Sequence, residues 1–276
     1  MLRQIGVGAG GLALAGTMAF KKANASADIA SNAAQSDIVF HGTGFAPMVL
    51  HLIVGEAVTI TSASGNELQL NSAPDAPEKI AVKVKAGATL KLNFGKPGLY
   101  LIYDELTTYF DTKVKQVVAR KSAKHFPLPA YMIILVTDKN GRGPKTTDAT
   151  INIPDSYMTF EPWAIVVNAG DPITFVNDDM DMHIVMPSPE PMLMPKVRAD
   201  KKLETSLWQE QMNSFDPITL DGHGGKGILT IAQPGLHHYF CPVHAVYSSD
   251  SYTFAPLKSF GGYPFIMDGV IVVLPK

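Results

Sequence analysis

The chain repeats itself, and that repeat constrains its fold more than any other feature. Phe45-Ala46-Pro47 matches Phe160-Glu161-Pro162, Gly55-Glu56 matches Gly170-Asp171, and Val58-Thr59-Ile60 matches Ile173-Thr174-Phe175, all at an offset of 115. Further on, Pro97-Gly98-Leu99 matches Pro234-Gly235-Leu236 at 137, and the apolar runs Met132 to Val136 and Val270 to Leu274 align at 138. The second copy therefore carries about 22 extra residues between Ile184 and Ile228. Two similar units of roughly 110 to 130 residues follow, each large enough for its own core.

Each unit reads as short strands. Val49 to Val54 and Ala164 to Val167 precede Gly-acidic turns, and Val58 to Thr61 and Ile173 to Val176 alternate in the period of two expected of half-buried strands. Pro97-Gly98 and Pro234-Gly235 are turn dipeptides that feed the strands Leu99 to Tyr103 and Leu236 to Cys241. With 20 Pro and 23 Gly in 276 residues, long helices are disfavoured. Strands at regular spacing predict an all-β sandwich or Greek-key barrel. The one helical candidate, Ala199 to Gln211, lies in the extra segment of the second copy.

Residues 1–27 carry Arg3, a small and apolar run from Ile5 to Phe20, and small-x-small sites at Ala23-Asn24-Ala25 and Ala25-Ser26-Ala27. This pattern predicts a signal peptide over 1–25 and a protein that is periplasmic or otherwise exported. Lys21-Lys22 makes an uncleaved N-terminal anchor the alternative. No other apolar stretch approaches the roughly 20 residues needed to span a bilayer, so no membrane span is expected after cleavage. Without Arg3, Lys21 and Lys22 the balance becomes 20 basic against 25 acidic residues, a net charge of −5. Such a chain has no basic field for nucleic acid.

A single cysteine, Cys241, excludes an intramolecular disulfide, a zinc ribbon and a CxxC redox pair. It stands in Pro234-Gly-Leu-His-His-Tyr-Phe-Cys-Pro-Val-His244, where a strand ends, a prolyl turn follows and an imidazole returns three residues later. Thiolate and imidazole at that spacing suit one soft-to-borderline metal ion. His183 ends Phe175-Val-Asn-Asp-Asp-Met-Asp-Met-His183, and Met267 precedes the last apolar run. Two histidines, one cysteine and a weak axial thioether are the ligand set of a blue-copper electron-transfer site.

On these motifs the sequence resembles the cupredoxins, with similarity to plastocyanin and pseudoazurin over about 150–276 with ligands, and over about 36–137 as scaffold. The resemblance implies tandem Greek-key sandwiches over 26–145 and 146–276, with one type 1 copper on His183, Cys241, His244 and Met267. By the offsets, those four positions fall on Leu68, Asp104, Thr107 and Pro129, so a first unit without copper ligands is expected. Between His244 and Met267 lie 22 residues, more than in plastocyanin-like proteins. The first unit has a comparable segment between Asp104 and Pro129, which supports Met267.

The function expected is an exported carrier of single electrons between redox partner proteins, with its copper under an exposed His244. A homo-oligomer stays open. One alternative is a copper oxidoreductase related to two-domain multicopper oxidases or copper nitrite reductase. Against it, the chain has no H-x-H pair, and Phe240 stands before Cys241 where the reductases have a histidine. The other alternative is copper delivery or storage, suggested by Met180, Met182, Met186, Met192 and Met194 around His183. Those methionines equally suit an apolar patch at the mouth of the site. His237 and His238 belong on opposite faces of their strand, as ordinary strand residues or part of a further site, and His223 reads as a turn residue.

Overall fold

A computed structural model describes residues 37–42, 44–46, 48–144, 146, 148–189, 212–248, 253–259 and 261–276. The expected signal peptide, the helical candidate at 199–211, Met192 and Met194 lie outside them. Every regular element among the described residues is a strand. The first unit comprises β1 (Asp37–Phe40), β2 (Phe45–Ala46), β3 (Val49–Ile53), β4 (Ala57–Ser62), β5 (Leu68–Ser72), β6 (Ala81–Val84), β7 (Thr89–Asn93), β8 (Gly98–Asp104), β9 (Thr108–Asp111), β10 (Gln116–Ala119) and β11 (Tyr131–Thr137). The second comprises β12 (Thr150–Ile153), β13 (Ala164–Asn168), β14 (Pro172–Asn177), β15 (His183–Pro187), β16 (Ile218–Leu220), β17 (Gly225–Thr230), β18 (Gly235–Phe240), β19 (Ala245–Ser248), β20 (Thr253–Pro256) and β21 (Asp268–Leu274).

The repeat in the sequence is a repeat in strand order and register. Sheets β2-β1-β4-β7 and β3-β11-β8-β5-β6 of the first sandwich correspond to β12-β14-β17 and β13-β21-β18-β15-β16 of the second. Val49 pairs with Ile133 as Ala164 pairs with Val270, and Gly98 pairs with Val136 as Gly235 pairs with Val273. These registers set the offset of the last strand at 137 rather than 138, so Met267 corresponds to Ala130 and not to Pro129. The backbone agrees, because Asp104 N–H donates to Ala130 O as Cys241 N–H donates to Met267 O. The extra residues fall between β15 and β16, within 188–217.

The Gly-acidic turns have one physical cause. Gly55 and Gly170 take φ of 91° and 81°, where a Cβ is disfavoured, and the next residue's carboxylate closes the turn. Glu56 Oε2 accepts from Ile53 N at 2.7 Å, and Asp171 Oδ2 accepts from Asn168 N at 3.2 Å.

Each sandwich buries a core between its two sheets, and the two five-stranded sheets bury a third core against each other. Along β11, Met132, Ile134 and Val136 enter the first sandwich's core while Ile133 and Leu135 face the shared one. Along β21, Ile271 and Val273 face inward while Val270, Val272 and Leu274 join the shared core. Both faces of these strands are dry, which is why they read as continuous apolar runs and not as alternation. Phe126 and Tyr263, equivalent under the offset of 137, pack edge-to-face at 5.9 Å, so the shared face is self-complementary.

Candidate metal centre

The second sandwich collects its donors at one end of the sheet β13-β21-β18-β15-β16. His183 is the first residue of β15, Cys241 follows the last residue of β18, and His244 returns after the turn Cys241-Pro242-Val243. The turn is closed by His244 N–H and Ala245 N–H, both donating to Cys241 O at 3.1 and 2.9 Å. Ligand atoms of His183, Cys241 and His244 all lie within 4.8 Å of one another, and all three residues are buried. His183 Nδ1 lies 3.8 Å from Cys241 Sγ, and the two imidazole centroids are 4.8 Å apart. A nitrogen and a sulfur bound to one ion at the usual lengths stand roughly 3.6–3.8 Å apart, so the geometry fits a shared ion.

The protonation chemistry also fits. His183 Nε2 donates to Asp179 Oδ2 at 2.9 Å, which leaves the Nδ1 lone pair turned to the sulfur. Burial alone would raise the Asp179 pKa, but hydrogen bonds from His183 and the Ser156 and Met180 backbones outweigh it and hold the carboxyl below its ordinary value. Asn177 fixes the loop from beneath: its Nδ2 donates to the Asp181, Leu220 and Asp221 carbonyls at 2.8, 3.2 and 3.0 Å, and its Oδ1 accepts from Asp179 N. Burial pushes the Cys241 thiol up, against hydrogen bonds from the Ile184, Val243 and His244 backbones that favour the thiolate. Burial and the His183 ring push His244 down, toward the neutral imidazole that ligates metals. A bound cation would complete the thiolate that these N–H groups only partly stabilise.

Each unit is a two-sheet β-sandwich, and the second carries the donor cluster. No family model matches the sequence, and no curated protein matches it. Among solved structures, the chain is similar to a purple cupredoxin from Nitrosopumilus maritimus at 17% identity, covering 46% of this chain and 100% of that one with a TM-score of 0.26. It is similar to auracyanin from Roseiflexus castenholzii at 19% identity, covering 48% and 100% with a TM-score of 0.29. A multicopper oxidase covers 86% of this chain and 88% of its own at 13% identity, with a TM-score of 0.28.

Of the residues singled out in the sequence, His183, Cys241 and His244 come together. Met267 is fully buried in the same core as Cys241, and its carbonyl accepts from Cys241 N at 2.9 Å. In the first sandwich, Leu68, Asp104, Thr107 and Ala130 occupy the corresponding places. His244 differs from expectation in being only 6% exposed, because the turn that returns it also tucks it against His183. The methionines divide: Met180 and Met182 are 66% and 48% exposed, whereas Met186 is partly buried against Phe240 and Phe254. His223 is an exposed turn residue at φ 60° whose N–H donates to Asp179 O. His237 and His238 do face opposite ways, His237 bonding Gln233 O and His238 packing on Trp163 toward the first sandwich. Sequence reasoning missed Asp179, and it missed Asp268, which accepts from Trp163 Nε1 at 3.0 Å and from His238 Nε2 at 3.3 Å.

Proposed function

We propose that this protein is an exported carrier of single electrons, using one type 1 copper that His183, Cys241, His244 and Met267 would hold. The observation that carries the reading is the buried His183-Cys241-His244 cluster, whose 3.8 Å nitrogen-to-sulfur separation suits one shared ion. One thiolate and two imidazoles favour copper over the hard cations. Copper held there supplies a one-electron couple. The chain's own residues do the rest: Asp179 orients His183, the Ile184 N–H donates to the sulfur, and packed apolar side chains keep water away. Of the three donors His244 alone has any exposed surface, so it is the residue through which an electron would pass to a partner protein. The first sandwich, with leucine, aspartate, threonine and alanine at the ligand positions, acts as scaffold.

Redox titration of the copper-loaded protein tests this reading. The carrier gives one reversible electron per chain and turns over neither dioxygen nor nitrite. Turnover of either with further copper bound would favour the oxidoreductase reading, and binding of Cu(I) alone would favour delivery or storage.

A further inference from the structure

The two residues that flank Met267 are each held from outside their own core. On one side, the Gln116 side chain of the first sandwich donates through Nε2 to Ile266 O at 2.9 Å, a bond between residues 150 apart in sequence. Gln116 is 4% exposed, so this amide has been withdrawn from water to make the contact. On the other side, Asp268 accepts from Trp163 and His238, and Trp163 in turn packs edge-to-face on Tyr131 of the first sandwich at 5.2 Å. A cavity of about 20 Å³, room for a single water, lies among Gln116, Tyr131, Trp163, Ile266 and Asp268.

We propose that Gln116 and Trp163 are positioning residues for the metal centre, through which the first sandwich sets the placement of Met267. This rests on the copper reading above. Met267 has no freedom to slide along the chain: its carbonyl bonds Cys241 N, and its neighbours are tied by Gln116 on one side and by the Trp163-Asp268-His238 group on the other. Axial-ligand placement sets the reduction potential of a site of this type. The corresponding places in the first sandwich are Tyr131 for Asp268, Leu101 for His238 and Met48 for Trp163, so the Trp163-Asp268-His238 group has no counterpart there. The ligand-less half of the molecule thereby has a role in tuning the half that binds.

The test uses the full copper-loaded chain. Gln116→Met keeps the buried volume and removes the donor, and Trp163→Phe keeps an aromatic ring and removes the Nε1–H. Each is expected to shift the visible thiolate-to-copper band and to change the Cu(II)/Cu(I) equilibrium by about tenfold, or 59 mV for one electron. Glu56→Gln, in the turn that lies beside the opposite end of β11 from Tyr131, is expected to leave both readouts at wild-type values. Wild-type band and potential in whichever of the two variants folds would overturn the proposal, as would an equal shift in Glu56→Gln. A wild type that shows no such band contradicts the copper reading itself, and this proposal with it.

Discussion

Asp104 stands in the first sandwich where Cys241 stands in the second, and the equivalent backbone donor serves each. Gln69 N–H reaches Asp104 Oδ1 at 3.0 Å, as Ile184 N–H reaches Cys241 Sγ at 3.4 Å. Thr107, in the place of His244, donates its hydroxyl to Asp104 Oδ2 at 2.7 Å. A carboxylate and a hydroxyl thus close internally the pocket end that a thiolate and an imidazole leave open to an ion. Asp104→Ala would leave the half-buried Gln69 N–H without its acceptor, so a loss of about 1 kcal/mol in denaturant unfolding is expected, with copper affinity unchanged. Wild-type stability in that variant would show that the carboxylate is dispensable.

Asp179 touches the donor cluster through His183. Asp179→Ala removes the acceptor that fixes the ring, and copper affinity measured by chelator competition should fall by about 10–100-fold. Asp179→Asn retains a carbonyl oxygen that can accept from Nε2 and should lose less. Equal affinity in all three proteins would count against an orienting role.

Much of this was legible in the sequence, for identifiable reasons. The repeat, the turns at Gly55 and Gly170 and the apolar runs of β11 and β21 are local patterns, and the structure preserves them strand for strand. Cys241 and His244 share one turn, so their meeting needed only local reading, and His183 was found at the end of the loop that follows the strand Ile173 to Val176. What escaped was tertiary. Nothing in Asp178-Asp179-Met180-Asp181 distinguishes the one carboxylate that faces His183, and no local pattern links Gln116 to Ile266. The one-residue error that put Pro129 opposite Met267 arose because a continuous apolar run matches itself equally well at neighbouring offsets, and only strand register removes that ambiguity.

Gly269 is required by a neighbour's size and not by its own backbone. A Cβ there would lie 2.3 Å from Tyr239 Oη and 2.4 Å from Cζ. Tyr239 is wholly buried and packs edge-to-face on Phe160 and Phe175, so it has nowhere to retreat. Gly269→Ala should cost about 1–3 kcal/mol of stability, whereas Tyr239→Leu in the same background should recover part of that loss. No recovery in the double variant would mean that the clash lies elsewhere.

Burial lowers the His51 pKa from 6.5 to about 4, while its Nε2 is bonded to Thr137 Oγ1 at 2.8 Å. Between those values the unfolded chain binds a proton that the folded chain refuses. Stability contributed by the neutral ring is therefore complete above about pH 6.5 and is lost as pH falls toward 4. Urea midpoints across that range should decline for the wild type and decline less for His51→Leu. Parallel slopes in the two proteins would assign the acid sensitivity to other groups.

If the buried thiolate and two imidazoles hold one copper between them, the absorption and electron paramagnetic resonance spectra of the copper-loaded protein, taken with its metal content, report it. One copper per chain with an intense visible thiolate-to-copper band, absent in Cys241→Ser, is the predicted result. A colourless protein, or a band that survives loss of Cys241, would contradict it.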